Sequence, residues 1–387
     1  MSTPDFSITL RDFDKEIKDF LNTALIGSPG GIQYRAYRER SLNLKGEKLH
    51  FLCLSRNKKL IGVVGLVDRT DIKSKRWLYI RYLYITKTQA YPKTKKPYSL
   101  ERDLKTNSLR TEPQSRGQPN REVQTHGHRR TKLQKVLLEH LEDFANTLTS
   151  SQLLPAYAFV ENKNHHSMKL CERFGFTKVQ EINTFLFHRF SPSLHAEVCL
   201  LSPEEVQESR TTLKEFYDGY EAYHTEGLKE QGYFLGYRVH GEWLAMARIM
   251  RHRWDVEQLP DHFSFLRRWR IDRLPYLRQL IPGHIFHFVS ADYIWFKQGH
   301  ERRIESILEH ALAKEKVHTG MVWLSKESQH CNQLRTSISW STLNKLGDTG
   351  SISLVRRVFL GNGQEKGYEK IDGNTMSPIF INAHDMT

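Results

Sequence analysis

The stretch VENKNHHSMKLCERFGF, Val160–Phe176, decides how the chain is organised. It begins as the end of a strand, breaks at Asn162-Lys163-Asn164, and continues as a short amphipathic helix that stops at Gly175-Phe176. The pattern predicts a strand, a turn on an asparagine, and a helix packed directly behind the strand.

Two parts of the sequence repeat. FLCLSRNKKLIGVVGLVDR (Phe51–Arg69) aligns without a gap on FLGYRVHGEWLAMARIMRH (Phe234–His252), at an offset of 183 residues. Each contains two strand-like segments around a tight polar turn, Asn57-Lys58 in the first and His240-Gly241 in the second. The helical pattern QKVLLEHLEDFAN also matches IESILEHALAKEK, at an offset of 170 residues. The sequence therefore predicts two halves, each ordered helix, hairpin, long strand, helix, strand, helix, strand.

The repeat divides the chain into an N-terminal half, residues 1–192, and a C-terminal half, residues 193–363, with a tail at 364–387. Each half has its own insertion, at about 87–128 in the first and about 252–283 in the second. A chain of 387 residues is long enough for two domains that each bury a core.

Composition limits the class of protein. The formal net charge of +14 indicates an anionic partner, either a phosphate-bearing small molecule or a nucleic acid. The four cysteines lie far apart, which argues against a zinc site, a disulfide framework or any other metal centre. No apolar run reaches the ~18 residues of a membrane helix, and the charged first residues do not resemble a signal peptide. The sequence therefore predicts a cytoplasmic protein without a membrane partner.

The positive charge is concentrated between Lys87 and Lys135, where thirteen Lys and Arg residues oppose four Asp and Glu residues, a net +9. From Thr88 to His128 the chain is rich in polar residues, Pro and Gly, and has no apolar periodicity. We expect a solvated, mobile insertion. Nucleic-acid binding through this insertion is the alternative, and it is not favoured.

The element order and the opening stretch resemble the GNAT acyltransferase superfamily, over most of both halves. In that family a strand leads to an Asn, and the helix behind it ends at Gly-Phe. Here Asn164 precedes Gly175-Phe176 by the family's spacing. The resemblance implies an α+β (α/β) fold of two tandem GNAT-like domains. Each would be a mixed, mostly antiparallel sheet with a splayed parallel strand pair, flanked by helices.

The resemblance also implies a binding site for acetyl-coenzyme A (acetyl-CoA) in the cleft between the splayed strands. The pantetheine arm would pair there with main-chain groups that an ordinary sheet uses itself. Main-chain N–H groups of Leu83, Tyr84 and Ile85 would stabilise the developing oxyanion. The amide of Asn164 would reach the cofactor arm, which makes Asn164 a predicted catalytic and cofactor-binding residue.

Cys171 is the second predicted catalytic residue. It stands seven residues after Asn164, where many family members have a tyrosine that protonates the departing CoA thiolate. A thiol with a pKa of ~8.5 is closely matched to that sulfur. The alternative is that Cys171 is a small buried hydrophobic residue, as free cysteines usually are.

The family's phosphate-binding loop falls just before the helix that follows the long strand. Its predicted members are Arg129, Arg130, Thr131, Lys132, Leu133 and Gln134. Arg129 agrees with the family pattern, whereas Lys132 and Gln134 replace the small residues that let a backbone approach a pyrophosphate. The basic side chains would bind phosphate by charge instead. A second register, Gln124–Arg129, keeps one glycine but puts the apolar stripe of the helix out of phase.

The C-terminal half departs further from the family pattern. His300, Arg302 and Arg303 take the loop positions, without a glycine inside the loop, and the Asn position falls on Thr336. We therefore expect the N-terminal half to hold the cofactor and the C-terminal half to shape the substrate cleft.

The resemblance implies an N-acetyltransferase that moves an acetyl group from acetyl-CoA to a primary amine of a small molecule or peptide, by direct attack. Asp68 is a weak candidate for a general base. Two other functions stay open. One is an aminoacyl-tRNA- or RNA-linked acyltransferase, in which Trp254 and its neighbours would stack on bases and binding would fall steeply with salt. The other is a non-catalytic CoA-binding or interaction protein.

Overall fold

The computed structural model of the chain describes residues 6–27, 33–36, 48–85, 136–137, 139–148, 153–225, 228, 232–258, 285–341, 351–359 and 377–386. The predicted insertion at 87–128 lies outside the described residues, and so does residue 259 onward of the second insertion. Among the described helices, none is both long and apolar enough to cross a bilayer.

The described residues contain the predicted order of helices and strands in each half, together with three strands that were not predicted, Phe6–Asp12, Gln33–Ala36 and Val198–Leu200. The strands are β1 (Phe6–Asp12), β2 (Gln33–Ala36), β3 (Lys48–Arg56), β4 (Lys59–Thr70), β5 (Arg76–Ile85), β6 (Leu154–Glu161), β7 (Thr177–His188), β8 (Val198–Leu200), β9 (Tyr233–Val239), β10 (Glu242–Gln258), β11 (Ile285–Phe296), β12 (Thr319–Ser325) and β13 (Ile352–Phe359). The helices are α1 (Lys15–Asn22), α2 (described at 136–137 and 139–148), α3 (His165–Arg173), α4 (Pro203–Phe216), α5 (Arg303–Glu315), α6 (Gln329–Ser337) and a 3-10 helix, Ala383–Met386.

These strands form one sheet, in the order β1-β3-β4-β5-β6-β13-β7-β12-β11-β10-β9-β8, with β2 paired to β10. Neighbours are antiparallel except for β5–β6 and β11–β12, which are parallel. A parallel pair needs a crossover connection, and α2 and α5 lie in these two connections. The predicted fold class is confirmed: a mixed, mostly antiparallel sheet with one parallel pair in each half, flanked by helices.

The two halves exchange their last strands. β7 of the N-terminal half pairs with β12 of the C-terminal half, with Ile182 opposite Ser325. β13 of the C-terminal half lies between β6 and β7, with Ile352 opposite Glu161 on one side and Ile182 on the other. The order β6-β13-β7-β12 is therefore symmetric about its centre, and the sheet continues from one half into the other. The division at residue 192 stays a proposal for the folded domains.

The two predicted hairpins are confirmed. β3 meets β4 at Asn57-Lys58, and β9 meets β10 at His240-Gly241. Both turn residues have positive φ in each hairpin, 49° and 64° in the first and 49° and 88° in the second. Positive φ at both positions is the type I′ geometry, whose twist matches that of the paired strands. The two halves thus share the turn as well as the strand order.

Helices α2 and α5 cover one face of the sheet in their halves. α2 packs Leu137, Leu141 and Ala145 against the N-terminal strands, as its apolar stripe predicts. α5 buries its predicted stripe as well: Ile304, Ile307, Leu308, Ala311 and Leu312. Because side chains alternate along a strand, the other face of the same strands carries a different set. We call this set the central aromatic cluster: Trp77, Tyr79, Tyr157, Trp254, Phe286, Phe288 and Trp323.

Residues 377–386, which we call the covering segment, pack on the central aromatic cluster. Ile379, Ile381 and Ala383 are buried within it. Phe380 N donates to Glu221 O, and Glu221 N donates to Pro378 O, so the segment is also tied by main-chain hydrogen bonds. Part of the predicted tail is therefore integral to the fold. The apolar run at 378–381 is the signal in the sequence that points to this burial.

Replacing Gly232 by Ala is expected to lower the free energy of unfolding by about 1–3 kcal/mol. Gly232 has a φ of +116°, and a Cβ there would lie 2.7 Å from the carbonyl oxygen of Ile249. Urea denaturation measures the effect. Gly219→Ala is the matched control, because a Cβ there has no neighbour within 4 Å. Equal midpoints for both variants would show that the backbone at Gly232 is not strained by a side chain.

Candidate active site between the splayed strands

The parallel strands β5 and β6 separate after two residue pairs. Leu78 pairs with Ala156 and Tyr79 with Tyr157, and the later residues of these two described strands do not pair with each other. β5 stays in the sheet to residue 85 through β4, and β6 stays in it to residue 161 through β13. Main-chain groups of residues 80–85 and 158–161 therefore border a gap, which we call the N-terminal cleft. The predicted splay is confirmed.

A β-bulge lies where the N-terminal cleft opens. Val63 and Gly65 are two residues apart on β4, whereas their partners on β5, Tyr84 and Arg81, are three residues apart. The extra residue on β5 bends the strand and changes the direction of its main-chain groups. Residues 83–85, the predicted oxyanion-stabilising residues, lie at this bulge and directly after it.

The side chains of the predicted oxyanion-stabilising residues anchor the strand on both faces. Leu83 and Ile85 pack with the apolar cluster under α2, and Ile85 is 3% exposed. Tyr84 points to the other face, where its ring lies 5.5 Å from that of Phe20 in α1. This packing fixes the main chain that borders the cleft, and a fixed donor geometry is what stabilisation of an oxyanion requires.

Asn164 caps the helix behind the cleft. It follows β6 directly, its main-chain N–H donates to Glu161 O, and its side-chain Oδ1 accepts from Ser167 N at 3.1 Å. An asparagine suits this N-cap position because its oxygen satisfies a free N–H of the first turn. The cap orients the amide so that Nδ2 is the atom with which Asn164 would donate to a cofactor.

Cys171 is half-buried on α3, beside the apolar cluster of the N-terminal half. Burial, with a smaller contribution from the charge of Glu172, raises the pKa of its thiol to about 11. Such a thiol is protonated at neutral pH and has a proton to give. Transfer to a thiolate of ordinary pKa is uphill, so Cys171 is a weak acid for this purpose.

Replacing Cys171 by Ala is therefore expected to lower kcat about three- to ten-fold, less than the ~10²–10⁴-fold contributed by a well-matched acid. The rate of CoA release with saturating amine, followed from pH 6 to pH 9, measures this. Because the folded-state pKa lies near 11, the thiol should add no titration to the kcat profile in this range. Cys331→Ala, a buried thiol of the C-terminal half, is the control. An unchanged kcat in Cys171→Ala would rule out proton donation.

The predicted phosphate-binding residues, 129–134, lie outside the described residues, as does the second register at 124–129. The described part of α2 begins at residue 136, and Leu137 and Leu141 bury its first turns against the sheet. The segment 129–134 thus directly precedes a helix on the same face of the sheet as α3. Its role in binding phosphate stays a prediction.

The C-terminal half repeats the splay and the bulge. β11 and β12 pair at Val289–Ala291 with Gly320–Val322 and then separate. Met246 and Arg248 are two residues apart on β10, whereas their partners on β11, Trp295 and Asp292, are three residues apart. β11 therefore has one extra residue at this point, as β5 does. Tyr293 in this bulge has a φ of +46°, a left-handed conformation that non-glycine residues seldom adopt. We call the gap beyond the last pair the C-terminal cleft.

Side chains fill the C-terminal cleft. Tyr217 donates its hydroxyl hydrogen to the main-chain oxygen of Ile294 at 2.6 Å, which occupies a group that a ligand would need. The Tyr220 hydroxyl lies 2.8 Å from His330 Nδ1, and Phe380 of the covering segment closes the same space. The remaining cavity is about 20 Å³, room for one water molecule.

Two details correct or limit the expectations for the C-terminal half. The position equivalent to Asn164 is Ser328, which caps α6 by accepting from Cys331 N at 3.1 Å. The expectation that Thr336 takes this position is wrong, because Thr336 lies inside α6. In the loop before α5, the carboxylate of Glu301 accepts from Gly299 N at 3.0 Å. A carboxylate already bound in this loop disfavours a pyrophosphate there.

Solved structures share this architecture. Saccharomyces cerevisiae N-myristoyltransferase with bound myristoyl-CoA matches with a TM-score of 0.52 and 10% identity, over 91% of this chain and 82% of that one. The protein has the tandem GNAT fold. A tandem GNAT protein from the clavulanic acid biosynthesis pathway matches with a TM-score of 0.46 and 10% identity, over 92% of this chain and 98% of that one. No family model and no curated protein matches the sequence.

Within this tandem GNAT fold, sequence reasoning missed a buried ion pair beside the N-terminal cleft. Arg69 of β4 donates to both carboxylate oxygens of Asp385 in the covering segment, at 2.6 and 2.7 Å. Arg69 also donates to the Tyr157 hydroxyl at 3.1 Å, and the Tyr79 hydroxyl donates to Asp385 O at 2.8 Å. Tyr79 and Tyr157 are the last pair before the splay. The residues are 316 positions apart in sequence, and no local pattern predicts such a pair.

Two candidates from the sequence have other partners in the GNAT fold. Asp68 receives two hydrogen bonds from Arg76, at 2.5 and 2.7 Å, so its carboxylate is held by a structural ion pair. Trp254 is 8% exposed and stacks on Tyr34 with ring centroids 3.9 Å apart, which leaves no face for a nucleic-acid base. Among the described residues, His, Cys, Asp and Glu side chains form no group of three that could hold a metal ion.

Proposed function

We propose that the protein is an acyl-CoA-dependent N-acyltransferase that transfers an acetyl group from acetyl-CoA to a primary amine in the N-terminal cleft. The splay of β5 from β6, with a bulge at its opening, carries this proposal. Where two neighbouring strands of a sheet separate, the main-chain N–H and C=O groups that face the gap need a partner. An extended amide-bearing arm such as pantetheine supplies such a partner in the same way as an added strand.

The N-terminal cleft is the better of the two clefts for the cofactor. Tyr217, Tyr220 and Phe380 fill the C-terminal cleft, and Glu301 occupies its loop. On the N-terminal side, the segment 129–134 brings three basic side chains to the residues just before α2. Arg129, Arg130 and Lys132 would bind the cofactor phosphates through charge-assisted hydrogen bonds, while the helix start adds a favourable dipole.

In the proposed reaction, the neutral amine attacks the thioester carbonyl carbon and forms the C–N bond. The main-chain N–H groups among Leu83, Tyr84 and Ile85 that face the gap stabilise the oxygen as it gains negative charge. The C–S bond then breaks, the sulfur leaves with the electron pair, and Cys171 donates a proton to it and regains one from solvent. The proton lost by the amine passes to water, because Asp68 is held by Arg76. Asn164 positions the cofactor arm through Nδ2.

A thiol reagent that detects CoA tests the proposal directly. With acetyl-CoA and a panel of primary amines, we expect CoA release that depends on both protein and amine, and a rise in melting temperature with CoA alone. A thermal shift without release for any amine would indicate a CoA-binding protein that does not catalyse transfer. Neither shift nor release would overturn the proposal. Release that requires an aminoacyl-tRNA would identify the amino group of the tRNA-linked amino acid as the acceptor.

A further inference from the structure

We propose that Arg69 is the receptor for a carboxylate on the acceptor, so that the amine substrate is an amino acid or another amine bearing a carboxylate. The covering segment closes this receptor by placing Asp385 on it. The inference deepens the proposed function and rests on it, because it concerns the acceptor side of the N-terminal cleft.

Arg69 has the geometry of a carboxylate receptor. Its side chain is 3% exposed, and its two terminal nitrogens each donate to one oxygen of Asp385. A planar guanidinium that binds both oxygens of a carboxylate is specific for that group in a way that a lysine is not. The Tyr79 ring lies 5.2 Å below the guanidinium, and the Tyr157 hydroxyl accepts from it. Tyr79 and Tyr157 therefore hold the guanidinium of Arg69 in one orientation on β4.

The receptor lies where an acceptor has to arrive. α2 and α3 cover one face of the N-terminal cleft, and the predicted phosphate-binding residues come just before α2 in the sequence. A thioester arm that enters from the helix side reaches through the gap towards the opposite face. Tyr79 and Tyr157 lie on this opposite face, at the last pair before the gap, and both contact Arg69. The amine must therefore approach on the side of Arg69.

The covering segment occupies this approach through polar contacts, in addition to the buried side chains of Ile379, Ile381 and Ala383. Besides the Asp385 pair, Asn382 Oδ1 accepts from Arg248 at 3.0 Å and Ala383 N donates to Asp292 Oδ2 at 2.9 Å. If the segment left, Arg69 would lose its carboxylate partner, which is unfavourable. An acceptor carboxylate restores the pair in the same place. Acceptor binding and release of the segment are therefore coupled, because the acceptor binds only the open state.

Matched acceptor pairs test the receptor. We use glycine with glycinamide and β-alanine with β-alaninamide, which differ in the carboxylate. We expect kcat/KM to be at least about ten-fold higher for each acid than for its amide. Arg69→Gln should lower kcat/KM about ten- to hundred-fold for the acids and remove the preference for each acid over its amide. Asp385→Asn, which keeps the shape of the side chain, should lower KM for the acids several-fold. Amine turnover without preference for the acids would overturn the inference while the proposed function stands.

Hydrogen exchange of residues 377–386 gives a readout that does not require turnover. Saturating glycine or β-alanine should accelerate exchange of these amides in the wild-type protein, whereas the matched amides should not. Asp385→Asn should exchange faster without any ligand, which keeps the test available if Arg69→Gln does not fold. Accelerated exchange without CoA release would support carboxylate binding by Arg69 and contradict the proposed acetyl transfer. Identical exchange with acids and amides would overturn the receptor.

Discussion

Replacing Arg248 by Met is expected to lower the free energy of unfolding by about 3–5 kcal/mol. Arg248 is 1% exposed and donates to both oxygens of Asp292, at 2.8 and 2.6 Å. Without the guanidinium, Asp292 keeps its charge in a buried site and loses its strongest partner. Asn382 also loses its hydrogen bond, so the covering segment is loosened at the same time. Urea denaturation followed by tryptophan fluorescence measures the loss.

An exposed ion pair provides the control. Lys297 and Glu242 approach to 2.5 Å, but their side chains are 50% and 60% exposed. Lys297→Met should change the free energy of unfolding by less than about 1 kcal/mol. The double variant Arg248→Met, Asp292→Leu should recover part of the loss, because it removes both buried charges. A single variant as stable as Lys297→Met would show that the buried pair does not stabilise the fold.

Replacing Arg129, Arg130 and Lys132 together by Ala is expected to raise the Kd for CoA at least about 100-fold. Each side chain is proposed to bind phosphate by charge, because the segment lacks the small residues that would bring main-chain N–H groups close. The wild-type Kd should also rise with salt, since screening weakens contacts between exposed charges. Isothermal titration calorimetry with CoA measures both effects.

The matching control removes three basic residues from the corresponding loop of the other half. Lys297, Arg302 and Arg303 flank Gly299 and the start of α5, so their replacement by Ala makes the same change in net charge. This variant should bind CoA with the wild-type Kd. The reverse result, loss of affinity only in the C-terminal variant, would move the cofactor to the C-terminal cleft.

Much of the fold could be predicted because its signals are local. The alternation around Asn57-Lys58 and His240-Gly241 fixes both hairpins, and the apolar stripes fix α2 and α5. The exchange of β7 and β13 between the halves could not be predicted from local signals. Each half contains its last strand in its own sequence, but nothing within 352–359 or 177–188 shows that this strand pairs with the other half. Strand pairing at long sequence separation depends on the assembled sheet, so it is settled only in three dimensions.

The same distinction applies to the candidate site. Asn164 and Cys171 could be located from their spacing in one short segment, and the bulge lies at the predicted residues 83–85. Arg69 could not be recognised, because its partner Asp385 lies 316 residues away in a stretch that reads as a polar tail. The sequence also predicts the wrong counterpart of Asn164 in the C-terminal half, Thr336. The true counterpart is Ser328, which caps α6 but is not an asparagine, so the family's motif does not reveal it.

The central claim is that main-chain groups of residues 80–85 and 158–161 hold the thioester arm. A crystal structure of the protein with bound acetyl-CoA tests it most directly. We expect the pantetheine chain between β5 and β6, with its amides paired to these strands and its carbonyl oxygen near the N–H groups of 83–85. Pantetheine between β11 and β12, or a cofactor bound on the surface with the N-terminal cleft empty, would contradict the account.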